Sequence, residues 1–143
     1  MTYNAIARNI VLPIADKVLG TRIKPIFDRL QKTQWSSKED IERYQIKKFR
    51  QLVDFSYKHI PFYHNHMRGE KIYPHDIKSL EDLRKFPVID KKVINANSQD
   101  FINNNLKNVR HLPWATGGTT GHPLKFNVSL KAKSFHTAAK LRS

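Results

Sequence analysis

Between Ser36 and Ile60, and again at Leu80, Leu83 and Phe86, the apolar residues of this chain recur at helical spacings, and only beyond His111 does the spacing fall to two. Any fold must therefore place helices first and strands last. The clearest helix is expected to begin at Ser36, where Ser36 and Glu39 have the spacing of a capping box, and to run towards Ile60, with Pro61 stopping it. Ile46, Phe49, Val53 and Tyr57 form one stripe. Ile41, Tyr44, Leu52 and Phe55 widen the apolar side, so much of this helix needs burial. Its charged positions alternate in sign from Lys38, Glu39 and Asp40 to Asp54, the habit of a solvated face.

Upstream, Ile6, Ile10, Ile14 and Val18 recur every four residues, and Pro13 must kink or split the helix they imply. Arg8, Lys17, Arg22 and Lys24 permit a membrane-surface reading of this element, but an apolar stripe at helical spacing is expected to dock on its own protein. Downstream, residues 61–74 read as a polar, turn-rich stretch. Ser79 and Asp82 make a second capping box ahead of Leu80, Leu83 and Phe86, and Pro87 ends that short helix. Asp90 is the expected N-cap of a further turn carrying Val93 and Ile94. Asn95, Asn97, Ser98, Asn103, Asn104 and Asn105 then mark irregular connections.

At His111 the character changes. Residues 112–116 are β-compatible, the stretch 117–123 holds three of the five glycines, and Leu124, Phe126 and Val128 alternate with Lys125 and Asn127. Residues 130–141 return to a helical pattern. Two strands do not make an independent sheet, so residues 1–110 read as a helical segment and 111–143 as the start of an incomplete domain.

Composition narrows the function classes. The 143 residues carry 26 Lys and Arg against 12 Asp and Glu, a formal charge of +14, which favours anionic partners. With no cysteine, disulfide frameworks, thiolate zinc sites and thiol nucleophiles are excluded, and a reduced, cytoplasmic location fits. No apolar run reaches the roughly 18 residues of a membrane span, and no leader pattern appears at the start. His59, His64, His66 and His75 cluster in sequence without a metal-ligand spacing, and Asn65 reads as solvated loop, so no metal site is expected. A basic helical module that binds nucleic acid or a protein partner is the alternative class. Against it, Phe49, Phe55 and Tyr57 fall on the apolar stripes instead of interleaving with the basic positions.

The run Thr116-Gly117-Gly118-Thr119-Thr120-Gly121-His122-Pro123 is the one place that asks for a chemical explanation. Glycines let consecutive N–H groups converge on an oxyanion, and three threonine hydroxyls can donate to phosphate oxygens. A glycine-containing hairpin loop is the plainer alternative. It is not a Walker A loop, because Thr116 and His122 stand where Gly and Lys are required, and it is not a dinucleotide fingerprint, because it leads into a strand.

This loop between two short strands resembles the phosphate loop of the adenylate-forming superfamily. Upstream, Tyr44-Gln45-Ile46-Lys47-Lys48-Phe49-Arg50, then His59-Ile60-Pro61-Phe62-Tyr63, then the stretch from Ser79 to Lys91 resemble the N-terminal region of the phenylacetate–CoA ligase-like family, which includes capsular-polysaccharide biosynthesis proteins. The resemblance implies an α/β fold overall, of which this chain is a mainly helical N-terminal fragment ending in the first strands. It implies ATP with magnesium, coenzyme A and a small carboxylic acid as ligands, and adenylation followed by thioester formation as the reaction. Thr116, Gly117, Gly118, Thr119, Thr120 and Gly121 would grip the ATP phosphates, with His122 where many relatives have Lys. No catalytic residue is assigned, because the remaining parts of such a site would lie beyond Ser143, and the chain alone is expected not to adenylate an acid.

Overall fold

A computed structural model describes residues 3–116 and 123–142. It is mainly helical, with a two-stranded antiparallel sheet near the C-terminal end, as the order of the two periodicities predicts. The chain forms two compact units, one made of Met1–Ser36, Arg110–Ala115 and Lys125–Ser143, the other of Ser37–Val109 and Thr116–Leu124.

The first unit opens with α1 (Tyr3–Ile6), a π-helical turn over Ala7–Val11 and α2 (Leu12–Leu19). The three run on in helical conformation, and the Leu12 N–H reaches back to the Ala7 carbonyl. Pro13 explains the wide turn: its ring would collide with the carbonyl four residues back in a regular helix, and the π-turn just before it makes room. Gly20 ends α2 in the left-handed region at φ 66°, where its N–H bonds the Asp16 carbonyl, and a Cβ there would meet the Arg110 guanidinium at 2.5 Å.

Asp16, buried at 9% exposure, is the hinge pin of the next turn. Its carboxylate accepts the Thr21 hydroxyl at 2.6 Å and the Ile23 and Lys24 N–H groups at 2.8 Å each. The last two are orphan donors at the start of α3 (Ile23–Thr33). Burial pulls the Asp16 carboxyl upward, but the bonds from Thr21, Lys24 and Ile23 outweigh it and hold the group below its ordinary value. This inward turn corrects the expectation for the N-terminal stripe. With Asp16 facing α3, Ile10, Ile14 and Val18 are turned outward and are 54%, 60% and 77% exposed instead of docked.

α3 packs along α7 (Leu130–Arg142), where buried Ser134 and Ala138, four residues apart, allow close approach. The Ser134 hydroxyl accepts the Arg22 N–H at 3.2 Å and donates to the Leu130 carbonyl at 2.7 Å. Between them in sequence lie β1 (His111–Ala115) and β2 (Lys125–Ser129), paired in register from His111 with Ser129 to Ala115 with Lys125.

The second unit is built on α4 (Lys38–His59). Its N-cap is Ser37, one residue later than the sequence pattern predicts, because the Ser37 hydroxyl oxygen accepts the Asp40 N–H at 3.1 Å. Residues 61–69, expected as turn, form α5 (Pro61–Gly69). Pro61 both stops α4 and occupies the first position of α5, where a missing N–H costs nothing. Asn65 is therefore helical and not loop. Val53 from α4, Met67 from α5, and Ile72 and Ile77 beyond it form the core, with Phe49, Tyr57, Tyr63 and Phe86 around them. The asparagine-rich segment is clipped to the α4–α5 corner by Asn104 N–H to the His59 carbonyl at 2.9 Å and Phe62 N–H to the Asp100 carbonyl at 3.0 Å. Phe62 and Phe101 stack at 4.2 Å. Asp90 caps α6 (Lys91–Ala96) by accepting the Val93 N–H, as expected.

The Ser79–Asp82 box forms ahead of a 3-10 turn, Leu80–Lys85. Asp82 accepts the Lys78 and Ser79 N–H groups at 2.7 and 2.8 Å and pairs with Lys85 at 2.7 Å. Lys85 first, then the Ser79 and Lys78 N–H groups, hold its carboxyl well below the usual carboxylate range. The stability this contributes is present above the ordinary value of about 4 and is lost as pH falls through the lowered one. Asp82 is accordingly expected to stay ionised at about pH 3, where free aspartates are mostly protonated. A carboxyl-carbon NMR titration checks this, and an ordinary midpoint for Asp82 would count against the box.

Candidate functional site

Ala115, the last residue of β1, leads directly into Thr116. The Thr116 N–H donates to the Leu124 carbonyl at 3.0 Å, and its hydroxyl oxygen accepts the Leu124 N–H at 3.0 Å. Two bonds between the same two residues close the neck of the Thr/Gly loop. A hydroxyl is both acceptor and donor, so Thr116 can accept from Leu124 and still donate. Thr116 is half-buried. The other candidate residues, Gly117, Gly118, Thr119, Thr120 and Gly121, together with His122, lie outside the described residues.

The upstream blocks that carry the family resemblance fall on defined elements. Residues 44–50 lie inside α4, residues 59–63 form the α4–α5 junction, and residues 79–91 hold the Asp82 box and the Asp90 cap. Arg50 is more than a solvated charge: its Nε donates to the Ile77 carbonyl at 2.6 Å, tying α4 to the buried turn at Ile77. His64, from the cluster, has Nδ1 2.8 Å from the Tyr57 carbonyl, and His66 has Nε2 3.3 Å from the Lys85 carbonyl. His59 stands 3.3 Å from Asn104 Oδ1, and His75 stacks on Tyr73. Each is thus engaged by its own neighbours. Among the described residues no three His, Asp or Glu side chains come together as a metal site.

One feature of the second unit escapes sequence reasoning. An open cleft of about 720 Å³ is lined by Lys71, Lys78, Arg84 and Lys85 together with Glu70, Asp76, Asp82 and Ile72. Both aspartates accept backbone N–H groups, Asp76 from Tyr73 and Asp82 from Lys78 and Ser79, and Asp82 also pairs with Lys85. The local signal was present in the capping spacing, but the convergence of the basic side chains was not.

No family model matches the chain. Its likeness is instead to individual enzymes of the acid–CoA ligase class. It is 26% identical over 102 residues to the phenylacetate-coenzyme A ligase of Aromatoleum evansii, and 26% identical over 107 residues to the phenylacetate-coenzyme A ligase of Escherichia coli strain K12. These matches cover 71% and 74% of this chain but 23% of each relative. The chain thus spans under a quarter of the length of these relatives, and the relationship it has to them is a distant, acid–CoA ligase-like one.

Proposed function

We propose that this chain is the N-terminal part of an ATP-dependent acid–CoA ligase-like enzyme, and that Thr116, Gly117, Gly118, Thr119, Thr120 and Gly121 hold the β- and γ-phosphates of ATP. The observation that carries this reading is the match to two phenylacetate-coenzyme A ligases over more than two thirds of the chain. The chemistry of the loop and the closed neck at Thr116 and Leu124 support it.

In such a reaction a carboxylate oxygen attacks the α-phosphorus of ATP, the bond to the pyrophosphate oxygen breaks, and an acyl-adenylate forms. The thiol of coenzyme A then takes the acyl group and AMP leaves. This chain's share is to orient the leaving pyrophosphate. Glycine N–H groups converge on the phosphate oxygens, and the threonine hydroxyls add charge-assisted bonds where charge builds on the leaving group. The loop has no carboxylate, so magnesium would arrive on the nucleotide phosphates. A small carboxylic acid, coenzyme A and a cytoplasmic location belong to the same proposal.

Hydrogen exchange tests it. ATP with magnesium, and pyrophosphate, are expected to protect the Gly117–Gly121 amides, whereas AMP is not. The double variant Thr119→Val, Thr120→Val is expected to weaken ATP binding by at least about tenfold, since each hydroxyl bonds a charged oxygen. Absence of protection in a chain with native circular dichroism would sink the phosphate-loop reading.

A further inference from the structure

We infer that the first unit is a membrane-surface module whose outward α1–α2 face enters the interface of a bilayer containing anionic phospholipid. Two independent observations meet on this unit, and the ligase reading is not needed for either.

The first is the sorting of charge. Along the sequence the basic residues look evenly spread, but the tertiary structure joins residues 1–36 to residues 110–115 and 125–143. That unit holds twelve Lys and Arg against Asp16 and Asp28, a formal +10, so +4 of the chain's +14 is left for the other unit. Both acids are counted in that +10. Asp16 is buried and bonded to α3, and Asp28 pairs with Lys24 at 2.5 Å. An anionic surface is the complementary partner.

The second is the apolar face. Ile6, Ile10, Val11, Ile14, Val18 and Leu19 are all exposed on one helix of 17 residues, Tyr3–Leu19. Ile10, Ile14 and Lys17 follow at i, i+4 and i+7, so a cation sits on the same side as the stripe, and exposed Arg22 lies in the turn between α2 and α3. Long basic side chains can lay their stems along lipid and keep their heads among phosphates. Trp35, also exposed, stands with Arg8, Lys32, Gln31, Phe27 and the Lys24-paired Asp28 on an open cleft of about 480 Å³, which places an indole beside two cations at a depth suited to headgroups. No helix among the described residues is long and apolar enough to cross a membrane, so the geometry is that of an element lying on the surface. Hydrated polyanions such as nucleic acid reward charge and aromatic platforms but gain little from six exposed aliphatic side chains. Lipid uses both.

Co-sedimentation of the 143-residue chain with vesicles tests the inference. Binding is expected to mixed phosphatidylglycerol–phosphatidylcholine vesicles, and to be weaker with phosphatidylcholine alone. The variant Ile10→Glu, Ile14→Glu changes only exposed positions and is expected to fold, as circular dichroism checks, yet to lose about tenfold or more of the binding. Lys17→Glu, Arg22→Glu is expected to weaken it and to flatten its salt dependence. Failure to bind the mixed vesicles would overturn the proposal. So would undiminished binding by the isoleucine variant, which would mark a charge-only polyanion site, or a parent dimer that the same variant dissociates, which would make a second copy the occupant of the stripe.

Discussion

Asp16→Ala is expected to destabilise the first unit by about 3 kcal/mol, the loss of two or three charge-assisted bonds and the stranding of backbone donors in a poorly solvated turn. The carboxylate serves the Thr21 hydroxyl and the Ile23 and Lys24 N–H groups at once, so nothing else in the turn can replace it. Asp16→Asn keeps one acceptor oxygen and is expected to fall between parent and alanine variant. The pH dependence has a definite sign: the carboxyl lies below its ordinary value in the folded state, so its contribution is complete above about pH 4 and disappears as pH falls through the lowered value. Urea unfolding followed by circular dichroism measures all three effects. An alanine variant within about 0.5 kcal/mol of the parent, the range of an ordinary surface change, would contradict this account of the turn.

Met67→Ala is expected to cost the second unit about 2–5 kcal/mol, the range for removing a large apolar side chain from a closed core. Met67 has no exposed surface and sits with Val53 and Ile77, each nearly as buried. The core has few other members, so a cavity there has little around it to collapse inward. Met67→Leu conserves volume and is expected to cost under about 1.5 kcal/mol. Thermal unfolding distinguishes the cases, and equal midpoints for the leucine and alanine variants would show that the site repacks freely.

Much of the secondary structure was legible because its signals are local. The Asp90 cap, the Ser79–Asp82 box, the α4 stripe and the alternation in β2 each lie within a few residues of the bond they predict. The same locality explains the one-residue error at Ser37, since Ser36-x-x-Glu39 and Ser37-x-x-Asp40 are equivalent patterns in the sequence and only the hydrogen bond separates them. α5 was missed for a different reason. Its Pro61 is a stop for the helix before it and a start for the helix after it, and its His-Asn-His centre is polar enough to read as turn. Of the candidate site, only Thr116 lies among the described residues, and the pair of hydrogen bonds between Thr116 and Leu124 links residues eight apart and has no pattern of its own in the sequence.

By itself the sequence determined the element order, helices then strands, and excluded thiol and disulfide chemistry, because periodicity and composition act locally. Only the tertiary structure decided which way the first helix faces, since three bonds to one aspartate set its rotation. Only it joined α3 to α7 across 112 residues, since burial of Ser134 and Ala138 depends on a distant surface. That joining leaves ten of the twelve acidic residues on the other unit, so the net charge concentrates on the first.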